Sequence, residues 1–138
     1  MERQLCAFNT TQPSFVALRV GCADTLFSRL RGLLFSPRLA NDEGLWVVPS
    51  RGIHTIGVTF PTDVVYLDSN LRVIYLLENL APFRIGPIKV DAHTVLILPA
   101  RAIVLSKIQL GDRLLICRPE LLKSLWQQFQ HETEQVAT

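Results

Sequence analysis

The stretch that decides the fold is Val64-Val65-Tyr66-Leu67, then Asp68-Ser69-Asn70-Leu71, then Arg72-Val73-Ile74-Tyr75-Leu76-Leu77. Two runs rich in β-branched and aromatic residues flank four residues of turn chemistry, so the segment reads as a hairpin. Asp and Asn favour such turns because their side chains bond to nearby backbone amides. Working outward, Leu5 to Phe8 and Phe15 to Val20 read as short strands around the turn-like Asn9–Ser14 segment with Pro13. Leu45–Val48 is closed by Pro49, Ile53–Phe60 is broken by Pro61-Thr62, and Thr94–Leu98 is closed by Pro99. Gly111-Asp112 turns the chain into a last strand, Leu114–Cys117. Ile103–Leu110 fits either a helical turn or a strand, and Ala81–Asp91, with Pro82 and Pro87, reads as a loop.

Two helices interrupt this pattern. Asp24 or Thr25 can cap a helix over about residues 25–35, with Leu26, Leu30, Leu33 and Leu34 on one face and Ser36-Pro37 ending it. Arg29 and Arg31 lie off that stripe. Pro119 suits a first helical position, and Leu122, Leu125, Trp126 and Phe129 then form an apolar stripe opposite Gln and Glu. Many short strands with helical additions predict a mainly β chain, a compact β-sandwich or barrel-like domain over residues 1–118. Residues 119–138 form a helical extension in this reading, packed on its own domain or offered to a partner.

Composition agrees with one core-rich domain. Of 138 residues, 49% are hydrophobic and 19% charged, enough apolar surface to rule out disorder as a description of the whole. No run approaches the roughly 18 apolar residues of a membrane helix, so no membrane span is expected. The net charge of +2 gives no case for nucleic acid. It is the sum of unlike parts: residues 1–118 carry thirteen basic and nine acidic groups, whereas residues 119–138 carry Lys123 against Glu120, Glu132 and Glu134. Eleven of the fourteen basic residues are Arg, the side chain suited to planar contacts with carboxylate or phosphate. The opening MERQLCAFNTTQPSF lacks the basic start and apolar run of a signal peptide, which predicts a cytoplasmic location.

No cofactor or metal is called for by the spacing of chemistry-bearing residues. Cys6, Cys22 and Cys117 are odd in number and far apart, as are His54, His93 and His131. Phosphate-cradling glycine loops and a GxSxG nucleophile elbow are missing. The richest polar cluster is Arg51-Gly52-Ile53-His54-Thr55-Ile56-Gly57, followed by Pro61-Thr62-Asp63. A carboxylate entering a buried strand must be hydrogen-bonded or paired. Asp63 therefore has two readings: it converges with His54 on a ligand, or it caps a turn and pairs with an Arg while His54 is a satisfied interior histidine.

The ordered set Ala23-Asp24-Thr25, Arg29, Arg31-Gly32-Leu33-Leu34, Glu43-Gly44-Leu45, His54-Thr55-Ile56-Gly57, Pro61 through Asp68, Leu98-Pro99-Ala100 and Leu110-Gly111-Asp112-Arg113 resembles a prokaryotic family, domain of unknown function 192. The resemblance covers roughly residues 15–117. Many members carry Trp-Met-Lys-Asn where this chain has His54-Thr55-Ile56-Gly57, and a Gly where it has Arg101. The resemblance implies a compact, mainly β domain with short helices and no established activity. The functional expectation is a non-enzymatic binding or accessory domain with candidate ligand contacts at Arg31, His54, Thr55, Asp63, Arg84 and Lys89. The alternatives are a small hydrolase or lyase using His54 with Asp63, and an interaction module presenting Leu122, Leu125, Trp126 and Phe129 to a protein partner.

Overall fold

A computed structural model describes residues 5–23, 39–53, 55 and 58–137. The expected helix over 25–35, with Arg31, and the side chain of His54 lie outside the described residues, as does the side chain of Phe129. In chain order the elements are β1 (Leu5–Asn9), β2 (Ser14–Ala23), β3 (Glu43–Val47), β4 (Thr62–Leu67), β5 (Val73–Leu80), β6 (Thr94–Pro99), α1 (Ala102–Ser106), β7 (Leu114–Cys117) and α2 (Pro119–Ala137). The seven strands form one sheet in the order β5-β4-β6-β3-β2-β1-β7, all antiparallel except β2 with β3.

The sheet curls into a half-barrel, the second of the two architectures expected. Its two edges meet at one end, where Arg72 bridges to Arg113. There Val73 N–H donates to Asp112 C=O at 2.8 Å, and Leu114 N–H donates to Leu71 C=O at 2.9 Å. Gly111, at φ +87°, turns the chain into this seam and donates to Val73 C=O at 2.8 Å. A side-chain tie reinforces it: buried Asp112 accepts from Asn9 Nδ2 at 2.8 Å, Gln12 Nε2 at 3.0 Å and the Gln109 amide at 3.0 Å.

The hairpin read at Val64–Leu77 forms β4 and β5, with Asp68 Oδ1 accepting the amides of Asn70 and Arg72 at 2.8 and 2.9 Å. The central strands are unbroken apolar runs because both faces are covered. Val65, Leu67, Leu96 and Leu98 join one core with Val20, Ile103, Ile108 and Leu114, whereas Val64, Tyr66, Val95 and Ile97 join another with Leu45, Ile53 and Val58. On outer strands β1 and β7 the alternation returns: Ala7 and Leu114 point to the first core, while Cys6 and Cys117 point outward to Leu122 of α2.

Two local readings need correction or completion. Ile53–Phe60 is not a strand over its described residues; its backbone groups bond instead to the 81–89 loop. Ile103–Leu110 begins as the short helix α1, which ends at Lys107 in the left-handed region. Helix α2 does start at Pro119, with Glu120 favourably placed in its first turn. Leu122 is buried, but Leu121, Leu125 and Trp126 keep roughly half of their surface.

Candidate functional site

The polar cluster can be built from Asp63. In the β4–β5 register Thr62 faces Leu80 and Val64 faces Leu77, so one residue of β4 opposes two of β5, a β-bulge. The bulge puts Asn79 at φ +55° and takes its amide out of the ladder. Fully buried Asp63 repairs this, with Oδ1 accepting the Asn79 amide at 2.8 Å. Its Oδ2 accepts the Ile103 amide at 2.9 Å, one of the first-turn amides of α1 that no helical carbonyl can satisfy. One carboxylate therefore joins three elements, and each of its oxygens has a backbone partner.

Thr55 does comparable work two residues further along that edge. Its hydroxyl donates to Ala81 C=O at 2.7 Å and accepts the Arg84 amide at 2.9 Å. Main-chain bonds continue the tie: Thr55 N–H to Arg84 C=O, Phe83 N–H to Thr55 C=O, Gly86 N–H to Ile53 C=O and Lys89 N–H to Arg51 C=O, all 2.8–2.9 Å. Only Gly fits at 86, because a Cβ there would lie 2.8 Å from Ile53 Cγ2 and 2.9 Å from Tyr66 Oη. Tyr66 donates to Pro87 C=O at 2.7 Å, and burial above all, with Tyr75 adding to it, pushes its phenol up to about 12.

Of the sequence-selected residues, the structure thus brings together Thr55, Arg84 and Lys89 on one strapped loop, with Asp63 beneath its stem. Arg84 is exposed, and Lys89 Nζ sits 4.1 Å above the Tyr75 ring. The strap holds four apolar side chains in solvent: Phe83, Ile85, Ile88 and Val90 are 61–79% exposed.

A sizeable concavity lies elsewhere. A groove of about 600 Å³ opens between the β1–β2 hairpin and the first turns of α2, lined chiefly by Cys6, Phe8, Phe15, Leu18, Leu122 and Trp126. Phe8 and Phe15 meet edge to face, with centroids 5.2 Å apart, and Lys123 stands at the wall. Burial, with neighbouring Cys117 adding to it, pushes the Cys6 thiol up to about 11. Burial also raises Cys117, opposed by hydrogen bonds from Cys6 and the Leu122 amide.

Sequence reasoning found the helical half of this groove, Leu122 and Trp126, and missed the strand half. The available signal was an excess of apolar residues: Phe15 and Leu18 remain on β2 after its core-facing Val16, Ala17 and Val20 are assigned. Among the described residues no cluster of three His, Cys, Asp or Glu could hold a metal ion, and no helix is long and apolar enough to cross a membrane.

The fold has solved counterparts. A protein of unknown function from Novosphingobium aromaticivorans DSM 12444 superposes with a TM-score of 0.68 at 20% identity, covering 80% of this chain and 82% of that one. A protein from Sinorhizobium meliloti 1021, described as a candidate transcription regulator, gives 0.68 at 21% identity over 83% and 93% of the two chains. At such identities the likeness concerns the fold alone. In sequence, a UPF0127 protein from Thermococcus sibiricus is 30% identical over 111 residues, 77% of this chain and 71% of that protein. The model of domain of unknown function 192 (DUF192), described as an uncharacterized ACR, matches residues 7–116, nearly the whole half-barrel. From β1 to β7, then, this chain belongs to the DUF192 family.

Proposed function

We propose that this protein is a non-catalytic binding domain and that it takes a small apolar ligand in the groove between the β1–β2 hairpin and α2. The groove itself carries the reading. Its volume of about 600 Å³ falls within the roughly 300–1,000 Å³ of small-molecule sites, and its walls are aromatic and aliphatic. Leaving Phe15, Leu18 and Trp126 about half exposed forgoes apolar burial that a ligand would recover. Lys123 offers a cation to a ligand with an anionic end, so a fatty-acid-like amphiphile fits both features.

The hydrolase or lyase reading needs Asp63 to orient His54. The backbone bonds to both Asp63 oxygens support a structural role instead. Partner docking on α2 is a second reading, favoured by Leu121 and Leu125, which are exposed but do not line the groove.

The experiment titrates dodecanoate into a Trp46→Phe protein, where Trp126 is the remaining tryptophan. The expected result is a saturable blue shift of Trp126 emission, weakened at least tenfold by Phe15→Ser and unchanged by Leu121→Ser. No response below the micellar concentration overturns the ligand reading. A chain that stays silent to dodecanoate but loses self-association or partner association on Leu121→Ser supports the docking reading.

A further inference from the structure

Cys6 and Cys117 are register partners across the antiparallel β1–β7 pair. Directly opposed antiparallel residues hold their Cα atoms about 4.5–5.5 Å apart, and disulfides span about 4.4–6.8 Å, so register alone brings the two within bonding reach. Both side chains project to the same outer face, where they are buried together with Leu122. Cys6 also lines the groove, which gives a small oxidant a path to the pair.

We propose that Cys6 and Cys117 form a reversible oxidation site, at which a peroxide-class oxidant converts the two thiols into one cross-strand disulfide. The order of events follows from the surroundings of the two thiols. Burial raises both thiols, but neighbouring Cys117 raises Cys6 further, whereas Cys6 and the Leu122 backbone act against the rise at Cys117, so Cys117 is the better placed to carry the thiolate. Cys117 gives up its proton and attacks the peroxide; an S–O bond forms, the O–O bond breaks, and the departing oxygen leaves as water. Cys6 sulfur then attacks Cys117 Sγ; the S–S bond forms, the S–O bond breaks, and the hydroxyl leaves with the Cys6 proton as a second water. Two thiols lose two electrons and two protons, and one peroxide becomes two waters. A dithiol reductant reverses the step.

The bond would clasp the first strand to the last, immediately before α2 begins. It would close a loop of more than a hundred residues, the length at which a cross-link restrains the unfolded chain most. The inference stands whether or not the groove takes a ligand.

The test uses the full chain with exposed Cys22 replaced by Ser, which removes the competing thiol. After hydrogen peroxide treatment, remaining thiols are alkylated in denaturant and the intact mass is measured. The expected product has lost two hydrogens, takes no alkyl group and yields one peptide pair joined through Cys6 and Cys117. Its Tm should rise by about 10 °C and return on addition of dithiothreitol. Two alkylatable thiols after prolonged treatment, sulfinic products without a cross-link, or linkage between separate molecules would each overturn the proposal. The mass readout needs no Cys6 or Cys117 variant, so a failure of Cys117→Ser to fold leaves the decision intact.

Discussion

The two flanks of the half-barrel use their side chains in opposite ways. On the β4–β5 flank, Asp63 and Thr55 spend their polar atoms on backbone groups that a bulge and a loop would leave unpaired. On the β1–β7 flank, the outer face leaves apolar surface and two thiols over beside a helix that buries, among its described side chains, little more than Leu122. A cluster rich in Asp, Thr and His residues looks like chemistry in a sequence, yet in this fold the polar atoms of Asp63 and Thr55 go to backbone groups. Capacity for binding or reaction lies where satisfaction is incomplete.

The sharpest way to break this comparison is Asp63→Ala. It strands the buried Ile103 amide and the part-buried Asn79 amide, with a full penalty of about 1–3 kcal/mol only for the first, so a loss of about 3 kcal/mol in urea unfolding is expected. Asp63→Asn keeps one acceptor and should fall between. A loss under about 1 kcal/mol for Asp63→Ala would mean that the carboxylate is not a tie. Thr55→Val, equal in shape, should cost about 1–2 kcal/mol and speed hydrogen exchange at the Arg84 amide while leaving β6 protected.

Alkaline titration probes both flanks at once. Cys6 is raised from 9.0 to about 11, and Tyr66 from 10.0 to about 12. Their folded-state values exceed the unfolded ones, so their contribution is complete below pH 9 and is lost as pH rises through about 11 and 12. Tm should be flat from pH 8 to 9 and fall above it, and Cys6→Ser should flatten the lower part of that fall. The smallest stability effect belongs to Trp126→Ala. With 46% of its surface exposed, the side chain should contribute only about 1 kcal/mol to unfolding free energy, while calorimetric dodecanoate binding weakens at least tenfold. A large stability loss would instead make α2 part of the core.

Much of this was legible in the order of residues. Asp68 to Leu71 announces its turn because a short polar side chain reaches amides two and four residues on, a contact within one local window. Pro119 announces a helix because the lost N–H is one that a first turn does not use. Ile53–Phe60 misled for the same reason that the hairpin did not. Its apolar content is that of a buried segment, but its hydrogen-bond partners lie about thirty residues away at Arg84 and Gly86. The groove was half legible, since α2 shows its stripe in one helical period while Phe15 and Leu18 look like ordinary strand residues.

By itself, the sequence determined most of the extended runs, though not Ile53–Phe60, where the last helix begins and, through an ordered set of weak motifs, the family. Only the tertiary structure decided that Asp63 ties a bulge to α1, that the sheet edges meet at Arg72 and Arg113, and that Cys6 lies opposite Cys117. The physical reason is range. Turns, caps and periodicity are set by neighbours in the chain, whereas a buried carboxylate's partners and a thiol's register depend on strands that are distant in sequence and meet only when the sheet closes.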